Sequence, residues 1–301
     1  MNPTKKFFSR IGSNYLIFGI CTIVLQFIIL NILARANPAM VGDINMVTII
    51  SSLCNYILPF PIFYWLMKKL ESQKMEKHNA GVKTFATYIG ITLTLMWIGN
   101  LIGLAITNLL SGAIQNDISN PVQDLIYSTD IWLNLLLISI IAPVCEEIIF
   151  RKFIIDRTVK YGVNVSIVLS AVIFALFHGN LNQFFYALLI GGFFSYVYIK
   201  TGKIVYPIIL HIIINVMGSV VSLIFAQALF NLQTAINPLD MGILIAYLIF
   251  VFGSFAIGAW GLSRFRPQKL ECSLKTVFLN PGMLCFIGFF IIIILRQILF
   301  D

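Results

Sequence analysis

Residues 142–153 of this 301-residue chain read APVCEEIIFRKF, with two adjacent glutamates and an arginine inside an otherwise apolar run. A charge at the centre of a membrane helix costs roughly 2.5–3.5 kcal/mol on insertion scales, so polar residues in such runs are candidates for function. Two further groups share this character: FALFH, from Phe174 to His178, and HIIIN, from His211 to Asn215. In each, the outer residues are spaced i,i+4, so on a helix they share one face. A carboxylate, two imidazoles and a carboxamide are the parts needed to hydrolyse an amide. Glu146 with His178 can take a proton from water, and His211 with Asn215 can donate hydrogen bonds to an oxyanion.

The two glutamates are not equivalent. Successive helical residues point about 100° apart. Glu147 and Arg151 stand at i,i+4 with the acid on the N-terminal side, the favourable order for an ion pair. Glu146 has Phe150 at its own i+4 position and no cation on its helix. It therefore needs a partner from elsewhere or a proton, which makes it the candidate base. Pro143, one turn earlier, lacks a backbone donor and kinks the helix. Plainer roles exist for each group. Glu147 and Arg151 can be a structural salt bridge, His178 a satisfied polar residue at a helix end, and His211 with Asn215 an interhelical hydrogen-bond pair. No cofactor is expected. A zinc site would draw on Glu146, His178 and His211, a His₂Glu set with water, but the chain has no HExxH. A thiol nucleophile, Cys145 with His178, is weak because Cys145 faces away from Glu146. The five cysteines are scattered with no CxxC pair, so neither a disulfide framework nor a metal site is read from them.

The elements that must position these residues are membrane helices. The chain is 59% hydrophobic and only 11% charged, where a soluble domain is nearer a quarter charged. Its apolar runs are continuous and do not alternate, which selects helices over a barrel. The expected fold is all-α and polytopic, one membrane domain over 1–301 with about eight to nine spans. Candidate spans are 14–34, 45–67, 85–110, 131–150, 164–178, 182–199, 204–229, 241–262 and 282–300. The first is too long for a signal-peptide core of roughly 7–15 residues and is read as a retained span. Gly99 and Gly103 form a GxxxG, whose plain meaning is close helix packing.

The net charge of +8 is mostly a topology signal. Eighteen of the 20 basic residues fall in alternate loops, from Lys5, Lys6 and Arg10 through Lys68–Lys83, Arg151–Lys160 and Lys200–Lys203 to Arg264–Lys275; Arg35 and Arg296 are the exceptions. The positive-inside rule places that side, and the N-terminus, in the cytoplasm. The expected location is the plasma membrane, with the lipid bilayer as a partner and no nucleic acid. A hairpin turning near Gly162 leaves Glu146 and His178 each about 24 Å from the turn, at one level. His211 lies about 12 Å from its own turn near Lys203, and reaches that level if 151–162 projects beyond the bilayer. The three groups then meet in one pocket, expected to open toward the cytoplasm.

At these residues the sequence resembles the CPBP family, the CAAX proteases and bacteriocin-processing enzymes also called Abi. Its motifs EExxxR, FxxxH and HxxxN stand here as EEIIFR (146–151), FALFH (174–178) and HIIIN (211–215). The stretch GGFFSYVYIKTGKIVYPIILH (191–211) looks like the family's glycine-containing helix, turn and final helix. The resemblance covers about 130–222. It implies an intramembrane endopeptidase of glutamate type in which Glu146 and His178 activate water and His211 and Asn215 hold the oxyanion. Glu147, Arg151 and Phe174 would support the site. The partners it implies are a peptide or protein substrate: a prenylated protein, or a bacteriocin or pheromone precursor. Two other functions fit the same residues. One is a non-catalytic membrane scaffold or bacteriocin-immunity protein. The other, a transporter, is disfavoured because the polar residues converge on one place and no discontinuous-helix repeat is visible.

Overall fold

The computed structural model describes residues 1–233, 236–264 and 271–300. Among the described residues there are helices and turns but no strand. Eight helices are long and apolar enough to cross a membrane: α1 Pro3–Ala36, α2 Ile44–Met67, α3 Val82–Ile114, α4 Ile131–Tyr161, α6 Leu181–Thr201, α7 Val205–Leu232, α8 Pro238–Leu262 and α9 Pro281–Phe300. Between α4 and α6 lies α5, Val163–Phe177, apolar but shorter. Each expected span falls on one of these nine. At 15 residues α5 extends about 22 Å, less than the roughly 20 residues of a full crossing.

The basic segments gather at one end of the bundle. Phe7 and Phe8 of α1 pack against Tyr161, Gln73 N–H donates to the Asp156 carbonyl, and His78 N–H donates to that of Thr201. Gly162 sits against Glu271. Arg266 and Lys269, two of the expected basic-loop residues, lie outside the described residues. The opposite end holds the acidic turns, where Asn45 Oδ1 accepts from Asp130 N–H and Asn231 donates to Asp240. The chain starts at the basic end, and α9 runs toward the other.

Packing follows membrane logic, with small residues at the seams and large apolar ones outside. The buried residues of α8 are Asp240, Ser254, Gly258 and Gly261, while its Ile249 and Phe252 point outward. The GxxxG of α3 is a close contact: a Cβ on Gly99 would run into the Tyr186 backbone, and one on Gly103 into the Asn182 carbonyl oxygen. This presses the start of α6 against the middle of α3. The residues of α4, α5 and α6 nearest the motifs, among them Ile149, Phe150, Ile173, Phe174, Ile190 and Phe194, are buried.

A strap, residues 68–81 between α2 and α3, crosses the basic end. Its backbone supplies the donors named above, and Ala80 N–H adds a third to the Tyr206 hydroxyl at 3.0 Å. Lys160 Nζ meets Glu71 at 2.5 Å, and Lys203 Nζ meets Asn79 Oδ1 at 2.5 Å. Gly202, with φ of 60°, ends α6 in the left-handed conformation that glycine adopts at no steric cost. A side chain there would also strike the Glu76 carbonyl oxygen. The strap thus ties the α4–α5 and α6–α7 turns together.

Candidate active site

The motif helix α4 is not a regular α-helix. It winds in wide i→i+5 turns over Asn134–Ile141 and again over Glu147–Lys152, with an α-helical stretch over Ala142–Glu146 between them. Pro143 cannot donate to the preceding turn, and the backbone absorbs this by widening, a distortion common at functional sites. Glu146 and Glu147 stand at the junction of the α-helical and the second wide stretch and reach the same imidazole from two sides.

That imidazole is His211 of α7, buried at 1% exposure. Its Nδ1 lies 2.7 Å from Glu147 Oε1, and its Nε2 lies 3.6 Å from Glu146 Oε2. A carboxylate only accepts, so the hydrogen-bond network assigns a proton to Nδ1. Arg151 Nη1 is 3.2 Å from the same Glu147 oxygen, with both side chains fully buried. Among the described residues the guanidinium makes no hydrogen bond. It lies instead over the ring of Phe174, 3.9 Å from the centroid, and 5.5 Å from that of Phe194, positions where the ring face attracts a cation. Gly191 of α6 leaves the room for this, since a Cβ would come within 3.1 Å of Phe174 and 3.3 Å of Arg151 Nη2.

Glu146 is the reachable carboxylate: its side chain is 15% exposed against 0% for Glu147. The hydroxyl of Tyr56, from α2, donates to Glu146 Oε1 at 2.5 Å. His178 caps the end of α5, and its Nδ1 donates to the Phe174 carbonyl at 2.8 Å. That leaves Nε2 of the neutral ring with its lone pair. The His178 ring stands edge-on to Phe174 at 4.6 Å and 6.2 Å from Tyr186, while Phe174 stands edge-on to His211 at 5.9 Å. Phe174 is therefore the hub that both histidines share. Asn215, one turn beyond His211, donates through Nδ2 to the Ile138 carbonyl at 2.9 Å, which leaves its second amide hydrogen and its oxygen.

Next to these residues is a cavity of about 410 Å³, bordered on the site's side by Asn215 and Tyr186. Glu146, His178 and His211 stand behind that border and are not in its wall. It runs from mid-depth, at Met96 and Trp97 of α3, to Asn120–Tyr127 beside the acidic turns. The sequence suggested an opening at the basic end, but this cavity lies in the other half, and the strap occupies the basic end.

All seven residues singled out from the sequence stand in this neighbourhood. Glu146, Glu147, Arg151, Phe174 and His211 form one contact network, His178 joins it through Phe174, and Asn215 faces the cavity. Among the described residues no group of three or more His, Cys, Asp or Glu is placed to hold a metal ion. Glu146, His178 and His211 do not form such a set. Three partners were missed. Glu147 serves His211 as well as Arg151, a contact from another helix that i,i+4 spacing does not reveal. Tyr56 lies 90 positions before Glu146. The one signal it carries is a hydroxyl inside an apolar span, which needs a partner when buried. Tyr186 gives a similar signal on α6.

A polytopic helical membrane protein with a buried EExxxR, FxxxH and HxxxN cluster defines a class, and the comparisons agree with it. Residues 128–217 match the family described as "Type II CAAX prenyl endopeptidase Rce1-like". A Bacillus subtilis (strain 168) protein named "Putative membrane peptidase YdiL" is 35% identical over 78 residues, 26% of this chain and 32% of that protein. The chain thus matches about a third of the length of that curated relative. These two matches, with the motifs, support assignment to the CPBP family. No solved structure matches.

Proposed function

We propose that this protein is an intramembrane endopeptidase of the plasma membrane that hydrolyses a peptide bond with water activated by Glu146 and His178. The observation that carries this reading is the pairing of one sealed and one reachable glutamate about a single histidine. Glu146, oriented by the Tyr56 hydroxyl, takes a proton from water while His178 Nε2 accepts the water's hydrogen bond. The resulting hydroxide adds to the substrate carbonyl. Asn215 donates its remaining amide hydrogen to the oxyanion. His211 joins it through Nε2 when that nitrogen carries a proton, with Nδ1–H held on Glu147. Collapse of the adduct breaks the C–N bond, and Glu146 returns the proton to the leaving amine. General acid–base assistance of this kind contributes about 10²–10⁴-fold. The basic end, with the N-terminus, is cytoplasmic by the positive-inside rule.

The test compares peptides released by membrane fractions containing wild type, Glu146→Gln or His178→Ala. Products should vanish in both variants while folded protein persists, and chelators should leave wild-type cleavage unchanged. Full cleavage by Glu146→Gln would eliminate the proposal in favour of a non-catalytic scaffold.

A further inference from the structure

Two observations at opposite ends of the bundle bear on how a substrate reaches this site. At the basic end the strap is bonded to both motif hairpins, through Asp156 and Lys160 on one and Thr201, Lys203 and Tyr206 on the other. Three backbone donors of the strap, on Gln73, His78 and Ala80, hold it across that end. In the other half the cavity runs from the acidic turns to Asn215 and Tyr186. Its wall includes residues that are open to the outside, among them Asn100, Tyr127 and Gly218.

Among the described residues the wall contains no Asp, Glu, Lys or Arg. It has six carboxamides, Asn100, Asn120, Gln123, Asn182, Gln183 and Asn215, beside aromatic and aliphatic side chains. Most already hold partners within the protein, Asn182 with Thr107 and Ser119, Gln183 with Asn180, Asn120 with Gln123 and Asn215 with Ile138; a carboxamide both donates and accepts, so their remaining atoms suit the alternating N–H and C=O groups of an extended main chain. At the inner part of the wall, beside the buried Ile214 and Ser219, a free carboxylate, an ammonium or a charged side chain would lose hydration with no opposite charge to meet it. Asn215 stands at the inner border, where an incoming carbonyl would come within reach of its free amide hydrogen.

We infer that the substrate is an uncharged, extended peptide segment that enters through the half of the bundle away from the basic end and is cut at an internal bond. This rests on the peptidase reading above and adds the side of entry and the charge of the segment. It also distinguishes the substrate from a chain end, whose terminal carboxylate has no cation waiting for it in the cavity.

The experiment uses right-side-out and inverted vesicles from cells expressing the full chain, with orientation scored by amine labelling of the exposed strap residues Lys74 and Lys77. The probe is a fluorogenic peptide of alanine, leucine, asparagine and serine blocked at both ends, with companions carrying one central lysine or one central aspartate. The neutral peptide should be cleaved when added on the side opposite the strap, at least about tenfold faster than either charged companion, equivalent to about 1.4 kcal/mol. Gly218→Lys should reverse the order for the aspartate companion, because the added side chain meets open space. Cleavage that needs Glu146 but occurs from the strap side, or at equal rates for all three peptides, overturns this inference and leaves the peptidase reading standing. No cleavage of the neutral peptide from the far side overturns it as well. Cleavage that persists in Glu146→Gln overturns the peptidase reading itself.

Discussion

The two sides of His211 are built from similar residues and do different things. On the Nδ1 side, Glu147, Arg151 and the Phe174 ring are fully buried and close-packed, with Gly191 making the room. On the Nε2 side, Glu146 keeps some exposure, takes a hydrogen bond from a tyrosine of another span, and stands near a cavity border. On the proposed mechanism, burial divides the work between the two carboxylates. A carboxylate sealed against a guanidinium fixes the imidazole's tautomer and position. A carboxylate left partly open can exchange protons with a water or substrate.

The contrast can be broken most forcefully on the sealed side. Arg151→Ala leaves the Glu147 charge buried without its cation, and removing one partner of a buried pair costs about 3–5 kcal/mol. We expect a large fall in melting temperature in detergent, with little folded protein recovered. A wild-type melting curve would show that the pair is dispensable. A smaller effect is expected at the α3–α6 seam. Gly99→Ala forces a methyl into the Tyr186 backbone, and overpacking of this kind costs about 1–3 kcal/mol. Both stability and the placement of Tyr186 beside His178 should suffer. The mildest test falls on the open side. Tyr56→Phe removes one hydrogen bond to a charged group, about 1.5 kcal/mol, or about tenfold in rate. It should lower kcat and change the pH profile while leaving the melting temperature near wild type. A change confined to stability would make Tyr56 structural only.

Much of this was readable in the sequence because membrane burial leaves few reasons for polarity. Against a background this apolar, Glu146, Glu147, Arg151, His178, His211 and Asn215 stand out by type alone, and helical periodicity says which share a face. Charge asymmetry likewise gave the common end of the basic loops. What stayed hidden depends on contacts between distant helices. Tyr56 is one aromatic among many, and nothing local ties it to Glu146. The second role of Glu147 comes from a histidine 64 positions away on another helix, which spacing along α4 does not reveal. Loop charge reports topology alone, so the position of the cavity beside Asn215 and Tyr186, which depends on how helices and loops pack, could not be read from it. The short α5 was legible too, since the expected span 164–178 lies within one residue of Val163–Phe177 at each end.

In the proposed mechanism Glu146 delivers water to a peptide bond. The direct measurement is cleavage of the neutral blocked peptide by purified protein in lipid vesicles made up in oxygen-18 water, wild type against Glu146→Gln. Wild type should release a new carboxylate bearing the heavy oxygen. Glu146→Gln, folded to the same melting temperature, should be slower by about 10²–10⁴-fold. Equal rates in the two proteins, or a product without the label, would contradict this mechanism.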